Sequence, residues 1–265
     1  MICWKSRYLV SALRHNFVSD ETFRLVCDVV ARVGSRPDGP QLVRLLNEAV
    51  DHLGADAGYY ASVVLEGETV ISHRLLLACD PTFGLALERF VAAEDDPWLR
   101  RAMTTSEPFC ASRASATVHG GSDLERFAAE HGFRSALVMP VPAGGGMPRR
   151  RVVRLGVMVL GSRSEAFFEG EDSPSLRVLA RALAMELHES YGSFLSRERI
   201  RADVISPADL ELLRRDRAGE TTKAIARGLR TTPHAIDQRF YRLGMKLGAR
   251  SRHAAVRIAV EYGLI

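Results

Sequence analysis

ISPADLELLRRDRAGETTKAIARGLRTTPHAIDQRFYRLGMKLGARSRHAAVRIAVEYGLI, residues 205–265, reads as a compact run of four helices. Ser206-Pro207-Ala208-Asp209 is a helix start, with a hydroxyl to hold free N–H groups, a proline for the first helical position and an acid near the N-terminus. Leu210 and Leu213, three apart, predict a buried stripe, and Gly219 ends that helix. Thr221 or Thr222 can cap a second, short helix whose apolar face is Ile225, Ala226 and Leu229. Thr231-Thr232-Pro233 then turns the chain into a third helix, where Ile236, Phe240, Leu243 and Leu247 recur at helical spacing and face inward. The outer face keeps His234, Gln238, Arg239, Tyr241, Arg242 and Lys246, with Thr222 and Lys223 at the start of the preceding helix. Cations neutralise phosphates, and Gln, Arg and His reach base edges, so this is the side-chain mix of a helix that enters the major groove of DNA. A fourth helix, about Arg252 to Tyr262, carries the small apolar residues Ala254, Ala255, Ile258 and Ala259, a face suited to a second copy of the chain.

Charge agrees with this reading. From Arg201 to Ile265 there are 13 Lys and Arg against 7 Asp and Glu, whereas the rest of the chain has 23 against 25. The excess positive charge sits where phosphate binding requires it. Charge alone fits a solvated helical bundle equally well; the caps, the turn and the helix order favour a DNA-binding helix-turn-helix.

At 265 residues and 46% hydrophobic, the chain has the length for two domains and a sizeable core. No apolar run approaches the roughly 18 residues of a membrane helix. The first residues, MICWKSRYLVSALRHNFVSD, are broken by Lys5, Arg7, Arg14 and His15 and are not a secretory signal, so the expected location is the cytoplasm. Cys3, Cys27, Cys79 and Cys110 lack metal-type or CxxC spacing and are expected as small buried hydrophobes.

Residues 39–194 mix helix and strand patterns. Gln41–Leu53 is helical, with Leu42, Leu45, Leu46, Val50 and Leu53 on one face. Gly58–Leu65 and Thr69–Ala78 are strand-like and separated by Glu66-Gly67-Glu68, a hairpin. Phe83–Ala93, Trp98–Met103 and Ser122–His131 are helical in pattern. Ser135–Val141 and Val152–Gly161 are strands joined through the Ala143-Gly144-Gly145-Gly146 loop, and Ser173–Phe194 is a long amphipathic helix. The expected class is α+β: an N-terminal α-β-α sandwich with an antiparallel sheet, then a small four-helix helix-turn-helix domain. Residues 1–38 read as a helical extension (helix near Asp20–Val33), 39–194 as a ligand-binding domain, 195–204 as a linker and 205–265 as the DNA-binding domain.

Such a sandwich can enclose a small-molecule cavity between its sheet and one helix layer. Tyr59 or Tyr60, Val63, Leu75, Leu77, Leu137 and Met139 are candidate lining residues from the strands, with Phe83, Leu87 and Trp98 from the helices. Each serves equally well as plain core. Asp96-Pro97 has two readings: a helix start, where Asp caps and Pro opens the first turn, or a buried acceptor for a ligand N–H.

The C-terminal run resembles the DNA-binding domain of LuxR-type transcriptional regulators. The family's "LTxRExEVL" is answered by residues 205–213, its "GKTxxEIA" by residues 219–226, and its "KLGxxxRxxA" by residues 246–255. Arg239 and Arg242 stand where the family usually has His and Asn. The first half resembles the autoinducer-binding domain of the same family in element order and in Asp96-Pro97, and Gly132–Pro140 resembles the family's "GxxSGxxxP" segment, which includes Ser135. The resemblance implies an acyl-homoserine lactone or related amphiphile as signal, with Asp96 accepting from its amide N–H. It also implies a homodimer on double-stranded DNA and no membrane partner. The family's Trp-x-x-x-Tyr pair falls on Phe83 and Leu87, or with a gap its tyrosine falls on Phe90. A further family tryptophan falls on Ala111, and the glycine after Ser135 is Ala136.

Two readings of function remain, and a third is set aside. The first is a ligand-responsive, dimeric transcriptional regulator; the second is a DNA-binding regulator whose N-terminal domain only dimerises or binds protein. An enzyme is set aside. The chain has no zinc-type HExxH and no P-loop, and His73, His119, His131 and His188 are scattered. No cofactor or metal is expected.

Overall fold

Strand-forming residues on either side of Glu66-Gly67-Glu68 begin the sheet, and Gly67 takes the left-handed φ of 63° that the turn needs. The computed structural model describes residues 19–92, 95–112, 122–141, 152–169, 173–201, 205–249 and 251–265. β1 (Ala57–Glu66) and β2 (Thr69–Ala78) pair antiparallel from Gly58 opposite Ala78 to Glu66 opposite Thr69, with one irregularity between Val64 and Leu65. β3 (Phe109–Ser112), β4 (Ser135–Val141) and β5 (Val152–Ser162) complete a five-stranded sheet in the order β2-β1-β5-β4-β3. Every neighbouring pair is antiparallel.

Helices cover both faces, as the alternation of the strands requires. α1 (Asp20–Gly34), α2 (Gly39–His52) and α6 (Ser173–Arg201) bury Val26, Val29, Val33, Leu42, Leu46, Leu183 and Leu187 against Tyr60, Leu137, Met139 and Met158. On the opposite face, α3 (Pro81–Ala92), α4 (Pro97–Ala102) and α5 (Asp123–Glu130) bury Phe83, Leu87, Trp98, Leu99 and Leu124 against Tyr59, Val63, Ala136, Val138 and Val159. The expected sheet between two helix layers is therefore present. Residues 20–34, read from sequence as an extension, are a core helix of the first layer, capped by Ser19.

The C-terminal run forms α7 (Pro207–Arg217), α8 (Thr222–Gly228), α9 (Pro233–Leu247) and α10 (Arg252–Glu261). Local chemistry sets each boundary. Ser206 and Asp209 make a reciprocal capping box, Thr221 caps α8, Thr232 caps α9 with Pro233 in its first turn, and Gly248 ends α9 at φ 69°. Ile225, Ile236, Phe240, Leu243, Leu247, Ala255 and Ile258 close the core of this unit. In α7 it is Leu212 and Leu213 that are fully buried, and Leu210 packs at the edge.

Val64 and Ile71, from the β1–β2 hairpin, belong to the same core as α7–α10. Arg257 on α10 donates to Glu66 at 2.8 Å, and Ser196 on α6 donates to the Tyr262 carbonyl. Ala254, Ala255, Ile258 and Ala259 are therefore buried within their own chain. Sequence spacing suggests a face for a second copy, but it cannot distinguish a partner in another chain from a hairpin nearly 200 positions upstream.

Other expectations are corrected or fall outside the described residues. α6 runs to Arg201, in line with a 195–204 linker that is helical at first. β3 is a four-residue edge strand, too short for a visible alternation. Cys27 is exposed, whereas Cys79 and Cys110 are half-buried and pack against the edges of the two cores. Cys3 and the 143–146 loop lie outside the described residues.

Candidate functional site: an aromatic core with two buried polar groups

Strand alternation decides which candidate residues meet. β1 sends Tyr59, Ala61 and Val63 to the α3–α5 side and Tyr60, Ser62 and Val64 to the other. On the α3–α5 side, Phe83 and Phe133 stack at 4.7 Å between ring centroids. Tyr59 lies 6.1 Å from Phe83 and 5.9 Å from Phe133, and Trp98 lies 6.1 Å from Phe133. Gly161 makes room for Phe133: a Cβ there would lie 2.2 Å from the ring. Leu87 is fully buried in the same core, and Leu75 packs at its edge. Tyr59, Leu75, Phe83, Leu87 and Trp98 are thus brought together.

Tyr60, Met139 and Ser135 are not. Tyr60 and Met139 face α6 in the other core. The Ser135 hydroxyl donates to the Ser164 carbonyl at 2.6 Å. A two-residue period assigns alternate residues to opposite faces, but it does not say which face holds a ligand.

Two polar groups are built into the aromatic side. Asp96 is 4% exposed and caps α4, its Oδ1 accepting from the backbone N–H of Trp98 at 2.9 Å and Leu99 at 3.0 Å. Burial raises its pKa to about 6, against the opposing pull of those two N–H groups. Asp96 therefore is the helix cap, and one of its oxygens carries both cap bonds. Trp98 is also 4% exposed, and its indole nitrogen is buried with no hydrogen-bond partner among the described residues. The Tyr59 phenol is held protonated, first by burial and then by nearby Asp96.

A groove of about 540 Å³ runs along the outside of this core, lined by Ala86, Arg89, Phe90, Asp95, Asp123 and Phe127. Phe127 stacks on Phe83 at 6.1 Å, so the groove and the aromatic core share a wall. The groove residues carry no motif and were not legible in the sequence. Neither was a polar pair on the opposite face, where Tyr60 Oη lies 2.8 Å from His188 Nδ1. There burial, helped by Arg154, lowers the His188 pKa to about 3 and keeps the imidazole neutral.

On the four-helix unit, Lys223, His234, Gln238, Tyr241 and Arg242 project into solvent, and Tyr241 is 73% exposed. Three other candidates are partly engaged. Lys246 pairs with Asp209 at 2.9 Å and Arg239 leans on it at 4.0 Å, while Thr222 accepts from Arg252 at 2.8 Å. Arg252 also pairs with Asp216 and lies 3.9 Å over the Phe240 ring, which ties all four helices together.

No family model matches the chain, and no curated protein matches it at a significant level. Solved structures do match in fold. Escherichia coli SdiA aligns with 17% identity over 92% of this chain and 98% of its own, at a TM-score of 0.50. SdiA in complex with octanoyl-rac-glycerol aligns with 16% identity over 93% and 97%, also at 0.50. CepR2 of Burkholderia cenocepacia, an N-acylhomoserine lactone dependent LuxR family transcription factor, aligns with 15% identity over 66% of this chain and 98% of its own, at 0.54. The chain has a LuxR-like fold.

Proposed function

We propose that the chain is a ligand-responsive transcriptional regulator of the LuxR type. In this reading residues 39–194 sense a small amphiphile, residues 205–265 bind DNA, and the protein acts as a cytoplasmic homodimer. The observation that carries the reading is the division of α9: Ile236, Phe240, Leu243 and Leu247 are buried, while His234, Gln238, Tyr241 and Arg242 face solvent. A helix held on one side and presenting Gln, Arg and Tyr on the other is built to contact base edges and phosphates. The concentration of positive charge after Arg201 supports this.

The sensing half of the proposal rests on the aromatic core, where Asp96 and Trp98 keep polar atoms buried among Phe83, Leu87 and Phe133. Two of the structures similar in fold bear on it by their own ligands: CepR2 depends on an acylhomoserine lactone, and SdiA was solved with an acylglycerol. Val178 and Met185 on the outward face of α6, 68% and 55% exposed, are apolar side chains that a second copy would cover. Ligand binding to the folded chain alone stabilises it by about 2.7 kcal/mol at 100 times the dissociation constant. No helix among the described residues is long and apolar enough to cross a membrane.

Genomic DNA fragments at low salt, with and without acyl amphiphiles, test the reading. Retention of a subset of fragments by the purified chain, with salt-dependent affinity, is expected. Retention of none, under any ligand condition, refutes it. A melting temperature that no amphiphile moves, with DNA binding intact, favours the alternative in which the N-terminal half is an interaction module.

A further inference from the structure

We infer that Tyr241 and Met245 are specificity-determining residues that read thymine: their side chains pack on the C5-methyl groups that thymines present in the major groove. The inference rests on the DNA-binding reading above and deepens it. A helix that contacts duplex DNA becomes one that selects A·T pairs through apolar contact.

Three observations carry it. First, Tyr241 and Met245 are 73% and 72% exposed, more than any other large hydrophobic side chain among the described residues. The remaining large apolar side chains of α9, Ile236, Phe240, Leu243 and Leu247, are buried. The folded unit therefore draws little stability from the exposed pair. The two stand four apart on one helix, where they make a continuous patch and are not scattered singly.

Second, the patch lies on the base-facing ridge. Gln238, Tyr241, Arg242 and Met245 stand at i, i+3, i+4 and i+7, all exposed, on the side of α9 opposite its core. Such a ridge is what a helix laid in the major groove turns toward base edges. Lys246 and Arg239 point instead to the α7 flank, where Asp209 holds them at 2.9 and 4.0 Å.

Third, charge indicates what covers the patch. Arg242 shares its ridge, and Lys223 and Arg227 are exposed on the preceding helix. Asp237, the one acid of α9, lies 3.8 Å from Arg252. Duplex DNA satisfies both kinds of side chain at once, with phosphates along the groove edges and, within the groove, a methyl group that thymine alone among the four bases carries. The Met245 thioether is only a weak acceptor, so it distinguishes bases by apolar contact and not by hydrogen bonds.

The full-length chain selects its preferred sites from randomised duplexes at low salt, with and without 1-octanoylglycerol. Each thymine of the selected site is then replaced by deoxyuridine, which removes the methyl and keeps every hydrogen-bonding edge. One or two thymines per recognition helix are expected to show a loss of about 3- to 5-fold in fluorescence anisotropy, the worth of one buried methyl. The Tyr241→Ala, Met245→Ala double variant should bind thymine and uridine duplexes alike, and the thymine duplex more weakly than the natural chain does. Tyr241→Phe should behave as the natural chain, because the ring and not the hydroxyl makes the contact. Both side chains are exposed, so the variants should melt with the natural chain.

Uridine that replaces every thymine at no cost overturns the inference and leaves the DNA-binding reading intact. A cost that persists in the double variant does the same, since another group then feels the methyl. A double variant with the natural affinity and sequence choice also overturns it and leaves the patch to a protein partner. A chain that selects no sequence overturns both the inference and the reading beneath it.

Discussion

Replacing Asp96 by Asn separates two roles of one side chain, and the structure sets the size of the effect. Asparagine caps helices about as well as aspartate, so the bonds to the Trp98 and Leu99 N–H groups survive. What is lost is the ionisation. Burial raises the Asp96 pKa from 3.8 to about 6, and at ~1.4 kcal/mol per pH unit the charged form costs the folded chain about 3 kcal/mol. The sign follows from proton binding. Between the two pKa values the folded chain holds a proton that the unfolded chain has released, so the Asp96 contribution is most favourable below pH 3.8 and is lost as pH rises through about 6. Urea unfolding of both proteins from pH 4 to pH 8 measures this. The natural chain should match the Asn variant near pH 4 and fall behind it by up to about 3 kcal/mol by pH 7. Differencing the two proteins cancels the other titrating groups, including His188. Stability curves that stay parallel over the whole range would refute the argument that burial outweighs the favourable contacts of the Asp96 carboxylate. A bound ligand that donates to Asp96 should shrink the gap.

Other expectations follow from packing and charge. Gly161→Ala puts a Cβ 2.2 Å from Phe133, so the aromatic stack must shift; a loss of about 1–3 kcal/mol in urea and an altered near-ultraviolet circular dichroism spectrum are expected. An unchanged midpoint would mean that the ring moves freely. Arg242→Ala and Gln238→Ala should weaken or re-specify operator binding in fluorescence anisotropy, whereas Arg227→Ala should leave sequence choice alone. Equal loss on every sequence from Arg242→Ala, with a salt slope smaller by about one, would make Arg242 a phosphate contact. A double-mutant cycle on Glu66 and Arg257, whose side chains are 39% and 28% exposed, should give a coupling of only about 0.2–1 kcal/mol. A coupling well above that range would mean that the pair is far less screened than its exposure indicates.

The parts of the fold legible in the sequence are those written in local chemistry. Ser206 with Asp209, Thr232 with Pro233, and Gly248 announce helix ends through groups one to three residues away. The β1–β2 hairpin was legible because Gly67 sits between two apolar runs of equal length. What depends on distant partners was not legible. α10 gave a correct helix and an incorrect partner, because the hairpin it meets is fixed only when the chain closes. The aromatic core was half legible: period two separated Tyr59 from Tyr60, but the stack of Phe133 on Phe83 depends on a glycine in β5 that nothing local marks. The sequence allows Asp96 as a cap or an acceptor; the structure makes it the cap and buries it. The unpaired nitrogen of Trp98 has no signature in sequence at all.

Beneath α10, the end of the sheet is more polar than its position suggests. Ser62 and Ser72 are buried there with hydroxyls that find no partner among the described residues, while Arg154, in register with Val64 on the same face and 9% exposed, donates to the His188 carbonyl at 2.6 Å. Burying the two serines removes water that their hydroxyls would otherwise bond, at roughly 1–3 kcal/mol for each. That penalty works against the burial of Val64 and Ile71. The contact between the two halves is therefore a compromise, apolar gain set against stranded hydroxyls.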